Sequence, residues 1–352
     1  MEEWKQLVRD TINTPEKLHS IFPNSNLEEL QRVHKEFPIR INPYYLSLIE
    51  EPNDPIWKQV VPDGKELIST GFEDPLAEEH DSEVPNVTHR YPDRVLFYVN
   101  YMCPIYCRFC TRKRKVGDPY SIPDQNFEIG LEYIRKHSEI RDVIISGGDP
   151  LMLTDKKIEY IVSRLRETEH IEIIRIGSRV PVTLPQRITK NLCEILKKNH
   201  PFYINTHFNH PIEITKETKK ACEMLVDSGI PVGNQTVLLR GVNDDPEVMR
   251  ELMKKLLSIR VKPYYIYQAD LVYGTDHFRT SIESGLEVIN GLRGHISGLG
   301  VPHYVIDAPN GGGKIAIIPN AIESLNEEEI LLKNYEGNTY SYPSQPFFDE
   351  DW

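Results

Sequence analysis

Three cysteines stand close enough to share one centre: Cys103, Cys107 and Cys110, in the stretch CPIYCRFC. Thiolates are soft ligands, suited to zinc and to iron–sulfur clusters. A structural zinc normally takes four protein ligands, and no fourth Cys or His stands nearby, His89 being too far upstream to be counted. Three thiolates on one short loop would instead leave one iron of a 4Fe–4S cluster without a protein ligand, open to a small molecule. An incomplete zinc site is the alternative. The other two of the five cysteines, Cys193 and Cys222, sit singly on helical patterns and read as core thiols. A secreted disulfide framework is not expected from such a distribution.

Two further stretches carry chemistry. Ser146-Gly147-Gly148-Asp149 ends a β-type run, and glycines there let backbone approach a ligand closely. A plain strand-to-helix turn would look the same. In NGGGKI, Lys314 follows three glycines. A phosphate-binding loop needs GxxxxGK followed by Ser or Thr, so ATP binding is not expected where Ile315 follows. A lysine on a flexible glycine turn can form a Schiff base with pyridoxal phosphate (PLP), although an ordinary surface lysine shares the pattern.

Such residues need a scaffold. From about residue 94, β-rich runs alternate with helical ones: VLFYV, DVIIS, EIIRI, FYINT, NQTVLL and YYIYQ. Between them, Ile158, Ile161, Val162 and Leu165 follow helical spacing behind a capping Thr154-Asp155, and Met249, Leu252, Met253, Leu256 and Leu257 do likewise. Six β-then-α units predict a parallel sheet with helices outside, curled by right-handed crossovers into a partial (β/α)6 barrel. Chemistry is then expected at the C-terminal ends of the strands. Residues 1–88 read as a helical region, with amphipathic stretches near 26–36 and 43–50, the Pro-rich connector EPNDPIW and an acidic, exposed loop at 73–84. The barrel is expected over 89–300. Residues 301–352 hold two β segments around the glycine turn and a tail with a hairpin in LLKNYEGNTYSY.

Bulk properties narrow the class. The 352 residues are 39% hydrophobic and 27% charged, which is globular composition. A formal net charge of −12 argues against a general nucleic-acid surface. No apolar run nears the roughly 18 residues needed to span a bilayer. MEEWKQLVRD lacks an apolar signal core, so a cytoplasmic protein without membrane or nucleic-acid partners is expected.

The cysteine spacing, with Phe109 before the last Cys, resembles the radical S-adenosylmethionine (SAM) superfamily. Closer still, THRYPDRVLF, the CxxxCxxCTRKRK segment, ISGGDPL, IGSRVPVTLPQRIT, INTHFNHP, NQTVLLRGVND, YYIYQADL, HFRT, GLRGHISG and DAPNGGGK resemble, in order, the lysine 2,3-aminomutase family over roughly residues 20 to 335. That resemblance implies a 4Fe–4S cluster on Cys103, Cys107 and Cys110 and SAM beside Gly147, Gly148, Asp149, His207 and Gln235. It implies PLP on Lys314, with Arg90, Tyr91 and Arg94 at the phosphate. Arg112 would bind the substrate α-carboxylate, and Asp270 and Asp307 the side-chain ammonium of lysine. Glutamate-specific relatives look different at the last two positions, so a cationic side chain is expected. The implied reaction moves the α-amino group of L-lysine to the β-carbon, with SAM reduced by an external one-electron donor.

The chain departs from the longest members of that family. They bind zinc through a C-terminal cysteine cluster and one more cysteine after the VND segment. Here Asp245 follows Val242, Asn243 and Asp244, and the tail lacks cysteine. No zinc is expected, which puts tetrameric assembly in doubt and leaves a homodimer through the tail. Arginine 2,3-aminomutation, or β-lysine formation for attachment to a translation factor, would fit the same scaffold. An iron–sulfur electron carrier would need neither Lys314 nor the two aspartates.

Overall fold

A computed structural model describes residues 2–116 and 122–344. Nine strands form one curled sheet in sequence order: β1 (Val87–Tyr91), β2 (Arg94–Asn100), β3 (Asp142–Gly147), β4 (Ile173–Gly177), β5 (Phe202–Thr206), β6 (Val232–Leu238), β7 (Lys262–Gln268), β8 (His303–Ala308) and β9 (Gly313–Ala316). Neighbours from β2 to β8 pair in parallel, with registers such as Val143 to Ile174 and Ile266 to Tyr304. β1 and β9 pair antiparallel at the two ends. The six expected strands are β2 to β7. β8 adds a seventh parallel strand, drawn from the segment that the sequence assigns to the C-terminal unit.

Helices connect the parallel strands and bury the stripes their spacing announced. The helix Asp155–Arg166 buries Ile158, Ile161, Val162 and Leu165, and Thr154 accepts the Lys157 N–H at its start. The helix Pro246–Ser258 buries Met249, Leu252, Met253 and Leu256. Beyond the barrel, β10 (Ile322–Leu325), β11 (Glu329–Lys333) and β12 (Thr339–Pro343) form a second antiparallel sheet. The expected tail hairpin is β11–β12, with Leu331 opposite Ser341. Among the described residues no helix is long and apolar enough to cross a membrane.

The helical N-terminal region clamps the loop that follows β2. Tyr106 N–H donates to the Arg40 carbonyl at 2.7 Å, Arg108 N–H to the Gln59 carbonyl at 2.9 Å, and Arg40 Nε to the Cys103 carbonyl at 2.6 Å. Glu66 is fully buried and accepts from Arg108 Nη2 at 2.6 Å and from Lys113 Nζ at 2.7 Å. Burial pushes the Lys113 ammonium down to about 8, against the pull of Glu66. Two cations bracketing Cys110 thus depend on one anion in the N-terminal region, 42 and 47 positions upstream of them.

Glu66→Ala would leave both cations buried without an anion. Removing one member of such a group costs about 3–5 kcal/mol. The thermal midpoint at neutral pH should fall by roughly 4–7 °C for a chain of this size. Circular dichroism melts would check this, and an unchanged midpoint would show that the network lies outside the cooperative core.

Candidate active site

The loop after β2 carries Cys103, Cys107 and Cys110, all partly exposed and unpaired with one another. It is held in place by the ends of the next strands. The Asn100 side chain donates to the Asp149 carbonyl at 2.5 Å and accepts from the Met102 N–H. Gly148 N–H donates to the Asn100 carbonyl at 2.6 Å. A Cβ on Gly147, at φ 130°, would meet the Asn100 carbonyl at 2.2 Å, and one on Gly148 would meet Tyr101 and Met102 backbone at 2.6 Å. The two glycines are therefore required by close packing against the cysteine loop, a reason distinct from ligand approach.

Asp149 has a similar role. Its carboxylate accepts from Ser178 Oγ at 2.7 Å and from the N–H groups of Leu151 (3.1 Å), Arg179 (2.7 Å) and Val180 (3.0 Å). Burial pushes this carboxyl up to about 6, opposed by those donors. It ties the end of β3 to the end of β4, with its oxygens already committed.

Arg179 was given no role by sequence, although IGSRVPVTLPQRIT contains it. Its buried guanidinium donates to Cys107 Sγ at 2.9 Å, Gln59 Oε1 at 2.5 Å and Glu213 Oε1 at 2.7 Å. Its Nε donates to the His207 carbonyl at 3.1 Å. Arg112 N–H donates to Cys110 Sγ at 3.3 Å. Burial pushes the Cys110 thiol up to about 11 and, helped by Asp149 and the sibling thiols, pushes the Cys103 thiol well above its ordinary value. Positive charge at this loop would favour the thiolates. Among the described residues no three His, Cys, Asp or Glu side chains converge on a single ion. The donor set fits a cluster whose irons are spread over several ångströms, with N–H donors already aimed at two sulfurs.

His207 follows β5. Its Nε2 donates to Asn209 Oδ1 at 2.9 Å, which leaves Nδ1 as an acceptor, and its ring lies 5.4 Å from Phe109. Burial, with Arg179 nearby, pushes it down to about 3, so the ring is neutral. Gln235 lies inside β6, where its Nε2 donates to the Tyr267 hydroxyl at 3.2 Å.

Tyr267, in β7, leads to the second half of the site. The Lys314 ammonium lies 5.6 Å above its ring and 3.0 Å from Asp307 Oδ2. Asp307 on β8 and Lys314 on β9 are cross-strand partners, so the β8–β9 hairpin itself sets this pair. Asp270 follows β7 closely enough to feel Asp307, Lys314, Glu78 and Arg112. Asp270 and Asp307 also border a cavity of about 330 Å³ under Pro75 and Leu76. Arg112 reaches the same region, paired with buried Glu78 at 2.7 Å and donating to Ser146 Oγ at 3.3 Å. The segment 73–84 is thus no freely exposed acidic loop: Glu78, Asp74 and Asp81 hold Arg112, Arg114 and Arg90.

Arg90 and Tyr91 end the antiparallel β1 and Arg94 begins β2, so all three lie away from the C-terminal ends of the parallel strands. They belong to the β1–β2 hairpin, at the start of β2, and reach the site because the curled sheet brings β1 to β9. Lys314 N–H donates to the Tyr91 hydroxyl at 3.0 Å, and Arg94 stacks 4.6 Å over the Tyr91 ring. Arg90 is engaged by Asp81 at 2.7 Å and by the Leu76 carbonyl. Gly311 and Gly313 adopt φ of 82° and 78°. A Cβ on Gly313 would lie 3.0 Å from the Tyr91 hydroxyl, and one on Gly311 3.5 Å from Arg90 Nε. The missing side chains leave space between the glycine turn, the Arg90 guanidinium and the Tyr91 phenol, donors of the kind a PLP phosphate would need.

Comparisons with known proteins accord with this arrangement. A family model described as the Radical SAM superfamily matches residues 97–253, and one described as Lysine-2,3-aminomutase matches residues 289–349. The chain is 54% identical to an L-lysine 2,3-aminomutase of Methanococcus maripaludis, over 95% of this chain and 79% of that protein. It is 51% identical to one of Clostridium subterminale, over 97% and 84% respectively. A glutamate 2,3-aminomutase of Clostridioides difficile is 45% identical over 92% of this chain and 77% of its own.

The charge arrangement has a measurable consequence without any ligand. Burial first, and Asp307 second, push the Asp270 carboxyl up to about 7, while Lys314 pulls the other way. A carboxyl raised in the folded state stabilises it when protonated, and that contribution is lost as pH rises through the folded value. Asp270→Asn should therefore raise the thermal midpoint near pH 8 by about 2 °C or more. The gain should shrink steadily between pH 8 and pH 5. A gain that grew as pH fell would contradict the assignment.

Proposed function

This chain belongs to the L-lysine 2,3-aminomutase family of the radical SAM superfamily, and from that premise we propose that it interconverts L-lysine and β-lysine with PLP carried on Lys314. Cys103, Cys107 and Cys110 would hold the 4Fe–4S cluster, reduced by an external one-electron donor. Gly147, Gly148, His207 and Gln235 would border SAM. When bound, these groups supply a carbon-centred radical that takes hydrogen from the substrate β-carbon, and a π-bond through which the amino group migrates.

The observation that carries the reading is the contact of Lys314 with Asp307. The chain's own lysine ammonium sits 3.0 Å from one carboxylate, with Asp270 beside it, in the setting a substrate ammonium would need. An ammonium leaving water must regain its lost hydration, and two acidic groups supply acceptors. At the other end, Arg112 would take the α-carboxylate. A substrate stretched between one cation and two anions has its β-carbon fixed between them. Arg90, Tyr91 and Arg94 would anchor the PLP phosphate, as paired arginines suit a dianion. Pro75 and Leu76 line the acidic end beside Asp270 and Asp307. His207, being neutral, would offer an acceptor without adding charge near the cysteines.

The test compares kcat/KM for lysine, arginine and glutamate in wild type, Asp270→Asn and Asp307→Asn. Each substitution should cost about 3–5 kcal/mol on lysine, more than a hundredfold. Glutamate should be a poor substrate of the wild type. Unchanged lysine turnover in both variants would remove the substrate assignment, and a wild-type preference for arginine would transfer it to the guanidinium substrate.

A further inference from the structure

Glu78 contacts only one side of Arg112. Its oxygens accept from Nε at 3.1 and 3.2 Å and from Nη2 at 2.7 Å, while Nη1 reaches Ser146 Oγ at 3.3 Å. Tyr98 supports the guanidinium from 5.0 Å. A guanidinium has five N–H groups in a fixed plane, and these contacts use three. One N–H on each terminal nitrogen is left over by these contacts. Two parallel N–H groups match the two oxygens of a carboxylate.

The strap that bears Glu78 is fastened at both ends of the site. Arg114 Nη2 pairs with Asp74 at 3.0 Å, and Arg114 Nη1 donates to the Glu73 carbonyl at 2.6 Å, next to the cysteine loop. Asn310 N–H donates to the Pro75 carbonyl at 3.1 Å, at the glycine turn. We propose that Glu78 is the positioning residue that selects which edge of Arg112 meets the substrate, an inference that rests on Arg112 being the carboxylate-binding group.

The charge of Glu78 repels an incoming carboxylate, so its benefit is orientation. A guanidinium released from Glu78 still attracts the carboxylate but no longer fixes where the rest of the substrate lies. A misplacement of about 1 Å can cost on the order of a hundredfold in rate.

The experiment uses holoenzyme and measures kcat together with the equilibrium Kd for L-lysine in Glu78→Gln, Glu78→Asp and Arg112→Lys. Glu78→Gln should lower kcat by about tenfold or more with lysine binding unchanged or tighter. Glu78→Asp, which keeps the charge and withdraws it by about one bond, should fall between Gln and wild type, again with Kd unchanged. A wild-type kcat in Glu78→Gln would overturn the proposal, as would a loss of binding in step with kcat. If Glu78→Gln does not fold, the Asp variant decides, and a kcat equal to wild type then overturns it. If Arg112→Lys itself matches wild type in both quantities, the substrate reading fails first, and that failure is distinguishable from the failure of Glu78 alone.

Discussion

Buried charge, matched pair by pair, is the constraint on which this site depends. Three glutamates outside the cysteine loop each hold a cation at or beside it: Glu66 holds Arg108 and Lys113, Glu78 holds Arg112, and Glu213 holds Arg179. Two of these acids come from the N-terminal region and one follows β5. An unpaired ion in such surroundings costs several kcal/mol, so the pairs form together or not at all. The cysteine loop is held in position by the N-terminal region, which also packs on the barrel core through Leu18, Ile41, Tyr45 and Ile56. The helical N-terminal region is thereby part of the scaffold of the site.

The same reasoning explains the polarity of the pocket. Near the cysteines the cations are Arg112 and Arg179, each already paired with a glutamate. Near the glycine turn the balance is negative, with Asp270 and Asp307 facing the single cation Lys314. The β8–β9 hairpin sets that second end directly, because Asp307 and Lys314 oppose each other across it. A zwitterionic chain with a terminal cation matches both ends, while a dicarboxylate would place its second anion against two aspartates. The raised Asp270 carboxyl reflects its burial first and the neighbouring Asp307 second, and such perturbed electrostatics are a usual mark of a functional site.

Much of this was legible in the residue pattern. The helical stripes of 155–166 and 246–258, the parallel runs and the three cysteines follow from local periodicity and spacing, which short windows carry. What local patterns do not carry is curvature. β8 joins the barrel and β1 meets β9 only because the sheet curls, so Arg90 and Tyr91 reach Lys314 from the opposite end of β2. The acidic stretch at 73–84 reads as solvated by composition, yet it is held by Arg90 nine residues on and by Arg112 and Arg114 tens of residues away. Gly147 and Gly148 mark a close approach correctly in sequence, but the neighbour they admit is the backbone of Asn100 to Met102. Arg179 sits in a motif without announcing which sulfur it faces.

The most direct measurement follows the migrating nitrogen. Anaerobically reconstituted protein, supplied with reductant, SAM and PLP, is given L-lysine labelled with ¹⁵N at the α-amino group, and the products are read by NMR. The account predicts β-lysine with the label on its β-carbon and SAM not consumed in proportion to product. Cleavage of SAM with lysine left unrearranged, or label remaining on the α-carbon of every product, would contradict it.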